Sequence, residues 1–172
     1  VHRDPAQEGQ AVHLVLGEPI TLVDTGPLTE DAWAALRAGL SRHGLGVGDV
    51  ERVLLTHGHQ DHFGLAARIE QAGRAQFLGG RLDREHFRGR RNRRLLLDAL
   101  TRAGFGALER LAMVAMTAAV DHFADPLPAW GEVSGGEVLT GDGWSVGVRC
   151  VPGPTPGSLT LGVADAGAPL HG

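Results

Sequence analysis

Thr56-His57-Gly58-His59-Gln60-Asp61-His62-Phe63-Gly64 places four candidate ligand side chains, His57, His59, Asp61 and His62, within six consecutive positions. The run just before it, Val53-Leu54-Leu55, is short and continuously apolar, as suits a buried strand. A loop leaving such a strand can direct His57 and His59 to one side of a cleft and Asp61 and His62 to the other. Imidazole nitrogen and carboxylate oxygen are zinc's ordinary ligands in catalytic sites, where one coordination position stays open for water. Water bound there has a pKa near ~7, so hydroxide is available as a nucleophile at neutral pH. The plainer reading of the same residues is a polar surface loop.

Working outward, residues 11–23 read as a hairpin. Val12, Leu14 and Leu16 alternate with Ala11, His13 and Val15, Gly17-Glu18-Pro19 turns the chain, and Ile20-Thr21-Leu22-Val23 returns. Asp24-Thr25-Gly26-Pro27 breaks the strand, and Thr29 can cap a helix over 30–42 with Trp33, Leu36 and Leu40 as its apolar stripe and Gly44 as its stop. A second helix is expected over 65–72, with Leu65, Ile69 and Ala72 on one face, then a strand over 75–78. The first half thus reads β-β-α-β-α-β, an α/β pattern. Seven arginines follow within 81–94, then helical stretches near 93–102 and 106–122, closed by Asp125-Pro126-Leu127-Pro128. Residues 81–128 read as a helical insertion within a single domain over 1–172. The tail returns to strands at 137–139, 144–151 and 158–163, with Gly79-Gly80, Gly135-Gly136 and Gly141-Asp142-Gly143 as turns.

Composition narrows the chemistry. The 172 residues are 42% hydrophobic and 21% charged, enough for one domain with a real core. A net charge of −4 argues against a dedicated nucleic-acid binder. All 16 basic residues are arginine and tyrosine is absent, which excludes lysine Schiff bases, P-loop lysines and phenolic acids. The single cysteine, Cys150, excludes an internal disulfide framework and is expected as a small buried hydrophobe in a strand. No run approaches the roughly 18 apolar residues of a membrane span. The polar start, Val1-His2-Arg3-Asp4-Pro5, lacks a signal-peptide core, so a cytoplasmic location is expected. The sequence starts without Met and stops at Gly172 where a strand would continue, so an incomplete C-terminus is also expected.

The segment from Thr56 to Gly64 resembles the HxHxDH signature of the metallo-β-lactamase superfamily. Leu22-Val23-Asp24-Thr25-Gly26 is similar to that family's strand-then-DTG segment, and Val151-Pro152-Gly153-Pro154-Thr155-Pro156-Gly157-Ser158 to its later PGHTPGS motif. These motifs occur in the family's order and cover nearly the entire chain. The helical insertion is similar to that of the branch containing hydroxyacylglutathione hydrolases and lactonases. The resemblance implies an αββα sandwich with the metal site along one edge of the sheets. It assigns His57 and His59 to a first zinc and Asp61 and His62 to a second, gives Asp61 a part in orienting the attacking water, and makes Asp24 a residue that orients ligands. It also implies departures: the family's third histidine for the first zinc belongs where Pro154 stands, and a bridging aspartate and a last histidine would follow Gly172. His171, His122 and His86 are the remaining histidines that could substitute, and the plainer reading of each is a surface or helix-face residue.

The expected activity is therefore zinc-dependent hydrolysis of an ester, thioester or lactone by metal-bound hydroxide, with one or two zinc ions, or iron or manganese in their place, and a small-molecule substrate. The alternatives are a degenerate member that binds a ligand or partner without catalysis, and a nuclease. The arginines of 81–94 suit an anionic substrate or, more plainly, a solvated face balanced by Asp83, Glu85 and Asp98. The Leu/Met-rich stretch 108–120 reads as a lid over the cleft, a core stripe or a dimer contact. Oligomeric state is left open.

Overall fold

The computed structural model describes residues 11–89, 93–120, 123–151 and 153–165. Its first sheet orders five strands β1-β2-β3-β4-β5 and its second orders three, β6-β7-β8. In the first, β1 (His13–Val15) and β2 (Thr21–Val23) form the expected antiparallel hairpin with His13 opposite Val23. Strands β3 (Arg52–Leu55), β4 (Gln76–Gly80) and β5 (Gly131–Val133) then add in parallel. In the second, β6 (Val138–Gly141), β7 (Trp144–Cys150) and β8 (Leu159–Asp165) are antiparallel. The mixed α/β class is as expected.

Alternation along the central strands builds the layers, since successive side chains leave opposite faces. Leu22, Val53, Leu55 and Phe77 join Leu36, Leu40, Leu65 and Ile69 in a core between the five-stranded sheet and its helices. Val23, Leu54 and Leu78 face the other way and meet Val146, Val148, Trp144 and Leu159 in a core between the two sheets. A sheet covered on both faces explains why Val53-Leu54-Leu55 is apolar without interruption.

Helix α1 (Glu30–Ser41) starts where its cap predicts, with the Ala32 amide donating to Thr29 Oγ1 at 3.1 Å. The candidate ligand segment itself coils into a short helix, α2 (Gln60–Phe63), where the sequence pattern suggests only a loop. Helix α3 (Ala66–Ala72) buries Ala66, Ala67 and Ile69, whereas Ala72 is exposed at its end. After β4 come a short 3-10 turn (Arg81–Asp83), α4 (Arg84–Phe87), and the pair α5 (Arg93–Arg102) and α6 (Ala107–Val120), which pack on each other. None of the described helices is long and apolar enough to cross a membrane.

Several expectations change. Gly79-Gly80 is strand, not turn: a Cβ on Gly79 would lie 2.7 Å from the Phe87 ring and one on Gly80 1.9 Å from Gly157 O, so the glycines serve close approach. Gly135-Gly136 is a turn as expected, with φ of 95° and 96°. Cys150 is exposed, because it ends β7 beyond the cover that buries Val146 and Val148 on the same side of the strand. The stripe of α6 is not core, since Leu108, Leu111 and Met116 are mostly exposed. Asp83 does not balance surface arginines; it is fully buried, and Arg84 pairs instead with Glu132 on β5. Arg90, Arg91, His122 and His171 lie outside the described residues.

Candidate metal centre

The ends of β2 and β3 build the site from adjacent parallel strands. Val23 pairs with Leu54 in register, so Asp24 leaves β2 level with Leu55, one residue before Thr56 leaves β3. Asp24 takes φ +61°, a left-handed conformation that aspartate tolerates better than most residues. This turns its carboxylate, 3% exposed, back across the strand ends. Oδ1 accepts the Thr56 amide at 2.8 Å, Oδ2 accepts the Thr56 hydroxyl at 2.8 Å, and Oδ2 also takes His62 Nδ1 at 2.8 Å. Thr25 clamps the other end of the segment: its amide and hydroxyl donate to His62 O, and its oxygen accepts the Leu65 amide.

The hydrogen bonds fix two tautomers. Thr56 has one hydroxyl proton, and Asp24 receives it. Thr56 Oγ1 therefore accepts from His57 Nδ1 at 3.1 Å, which leaves the lone pair of His57 on Nε2. His62 Nδ1–H donates to Asp24, so its lone pair is on Nε2 as well. This is how outer partners commonly orient metal-binding histidines. The rings are neighbours, with centroids 4.7 Å apart for His57 and His59 and 3.8 Å for His57 and His62. Asp61 is more than half exposed, its Oδ2 3.8 Å from His62 Nε2. The sequence-derived residues His57, His59, Asp61, His62 and Asp24 thus come together. Their donor chemistry suits zinc, although among the described residues no three His, Cys, Asp or Glu groups converge as a metal-holding set.

Burial lowers the His57 pKa below its ordinary value, and the nearby His62 and His59 charges lower it further, against the opposing pull of Asp24 and Asp61. A histidine depressed on folding takes up its proton at higher pH in the unfolded chain than in the folded one. Its contribution to stability is complete above about pH 6.5 and is lost as pH falls through the folded-state pKa. The urea midpoint of the metal-free chain is therefore expected to fall between pH 7.5 and 5.5, and to fall less in His57→Gln. An equal fall in both proteins would remove His57 as the source.

Three supporting residues escaped the sequence reading: Thr56, Thr25 and Asp83. The last accepts the Gly58 amide at 2.8 Å and the Gly157 amide at 2.9 Å. Thr56 and Thr25 sit within the quoted motifs, but nothing in the residue types signalled their bonding. Asp83 lies among arginines, which masked it. Pro154 is exposed and brings no donor. His86 packs behind Gly58, its Nδ1 3.7 Å from Asp83 Oδ1 and without a hydrogen-bond partner.

The sequence model described as the Metallo-beta-lactamase superfamily matches residues 8–168. The probable metallo-hydrolase YqjP of Bacillus subtilis (strain 168) is 46% identical over 54 residues, 31% of this chain and 17% of that protein. Among solved structures, the metallo-beta-lactamase family protein TTHA1429 from Thermus thermophilus matches with a TM-score of 0.71 at 25% identity, over 87% of this chain and 49% of that one. BJP-1, a subclass B3 metallo-beta-lactamase of Bradyrhizobium japonicum, matches with a TM-score of 0.65 at 21% identity, over 90% of this chain and 50% of that one, a likeness of fold. The chain spans about half the length of these solved relatives.

Proposed function

Since the chain belongs to the metallo-beta-lactamase superfamily, we propose that it is a metal-dependent hydrolase acting on an ester, thioester or lactone carbonyl of a small molecule, in the branch similar to hydroxyacylglutathione hydrolases and lactonases. The observation that carries this reading is the imidazole cluster of His57, His59 and His62 at the end of β3, with the lone pairs of His57 and His62 set on Nε2 by Thr56 and Asp24. His57 and His59 would hold a first ion, and Asp61 with His62 a second. Zinc is the leading candidate, with iron or manganese behind it. A divalent ion there would lower the pKa of a coordinated water to ~7 and polarise a carbonyl oxygen.

The chain's own groups do the rest. Asp24 holds the proton on His62 Nδ1, and Thr56 holds it on His57 Nδ1. Burial favours the unprotonated form of His57, the form that a metal requires. Asp61, exposed beside His62 Nε2, is the catalytic group of this reading: its carboxylate can orient a water and accept its proton. The single-domain reading, with 81–128 as a helical insertion, belongs to the same proposal. Phe87 and Leu127 support it by packing both ends of that segment into the main core.

The test is metal content by plasma mass spectrometry after dialysis against trace zinc, followed by a panel of thioester, lactone and ester substrates. At least one zinc per chain and hydrolysis abolished by a chelator are expected. A chain that keeps no metal would sink the hydrolase reading and leave a ligand-binding role for the same cleft.

A further inference from the structure

We propose that Asp83 is a positioning residue that couples two candidate site loops, so that the backbone set around His57 and His59 depends on the turn at residues 155–158. Asp83 ends the 3-10 turn after β4 and is fully buried. Its Oδ2 accepts both the Gly58 amide and the Thr155 hydroxyl, and its Oδ1 accepts the Gly157 amide. One carboxylate thus receives donors from two segments about a hundred positions apart along the chain.

The approach is too close for side chains in between. A Cβ on Gly58 would lie 2.4 Å from His86 Cβ, and one on Gly157 would lie 2.6 Å from Asp83 N. Gly58 stands between His57 and His59, so the orientation of its peptide helps to set where both imidazoles leave the backbone. The far turn is braced internally by the Ser158 hydroxyl donating to Thr155 O at 2.8 Å and by the Thr155 amide donating to Ser158 Oγ at 3.0 Å. It is joined to β3 by the Leu159 amide donating to Thr56 O at 2.7 Å. Displacing this turn would therefore reach Gly58 through Asp83. The consequence for metal affinity rests on the metal reading above, whereas the coupling itself does not.

Asp83→Asn keeps the shape but turns an amide NH2 toward at least one donor, and Thr155→Val removes a single donor on the far turn without touching either histidine. Amide hydrogen exchange at Gly58 and zinc affinity would be measured in both variants and in the double variant. Exchange at Gly58 should quicken at least about tenfold in Asp83→Asn, with zinc affinity weakened roughly 10–100-fold, the range for outer partners of metal ligands. Thr155→Val should move both quantities the same way by less, and should add nothing on top of Asp83→Asn. Unchanged Gly58 exchange in a folded Thr155→Val overturns the coupling, as does multiplicative behaviour of the double variant. Unchanged zinc affinity in a folded Asp83→Asn overturns the positioning role. If the wild-type chain holds no zinc, the hydrolase reading fails by itself and Gly58 exchange in Thr155→Val still decides the coupling.

Discussion

Alanine at His57 is expected to remove zinc binding at the first site at micromolar metal, a loss beyond the roughly 10–100-fold cost of deleting an outer partner. The reasoning is arithmetic on donors. Pro154 contributes none, so among the described residues the first ion would rest on two imidazoles, and deleting one leaves a single weak contact. Competition with a chromophoric chelator at pH 7.5 measures the effect. Because His57 is 7% exposed, its truncation also opens a hole beside Thr56, and a destabilised protein could mimic a lost ligand. His59→Ala separates the two causes. His59 is exposed, so its removal costs little packing, yet it should lower zinc affinity as severely. Zinc affinity equal to wild type in folded His59→Ala would remove the assignment of His59 to the first ion.

The parts of this molecule that were legible in its sequence are those governed by local chemistry. Thr29 marked the start of α1 because a hydroxyl one residue ahead of an amphipathic stretch satisfies a free helix amide. Val53-Leu54-Leu55 announced a strand covered on both faces, and the histidines after it announced themselves by type and spacing. What escaped was decided across long separations. Strand β5 is three residues long with one buried side chain, Val133, and exists because the edge of β4 was available to pair with it. Gly79-Gly80 has the composition of a turn, but Phe87 and Gly157 pressing on it make it strand. Asp83 is the sharpest instance. Among arginines an aspartate reads as surface charge, and only the fold reveals that its partners are backbone amides and a hydroxyl from elsewhere.

Histidine at position 154 should act in the opposite direction and raise zinc affinity at least about tenfold, equivalent to about 1.4 kcal/mol. The family resemblance places a ligand at this position, and the structure supplies a reason for a new one to be effective. The neighbouring turn at 155–158 is held by Ser158 and by the buried carboxylate of Asp83, so an added imidazole would project from backbone already fixed. Two opposing effects on stability give the test a sign of its own. Removing proline frees the unfolded chain and should lower the melting temperature of the metal-free protein, at a cost of roughly 0.4–1 kcal/mol. Excess zinc should more than reverse this, because a ligand that favours the folded state stabilises it by RT ln(1 + [L]/Kd). Pro154→His should therefore melt below wild type in chelator and above it in zinc. Combining it with Asp83→Asn should narrow the crossing, since the turn would lose its carboxylate tie to Gly58. A Pro154→His chain that melts below wild type under both conditions would mean that position 154 does not reach the metal.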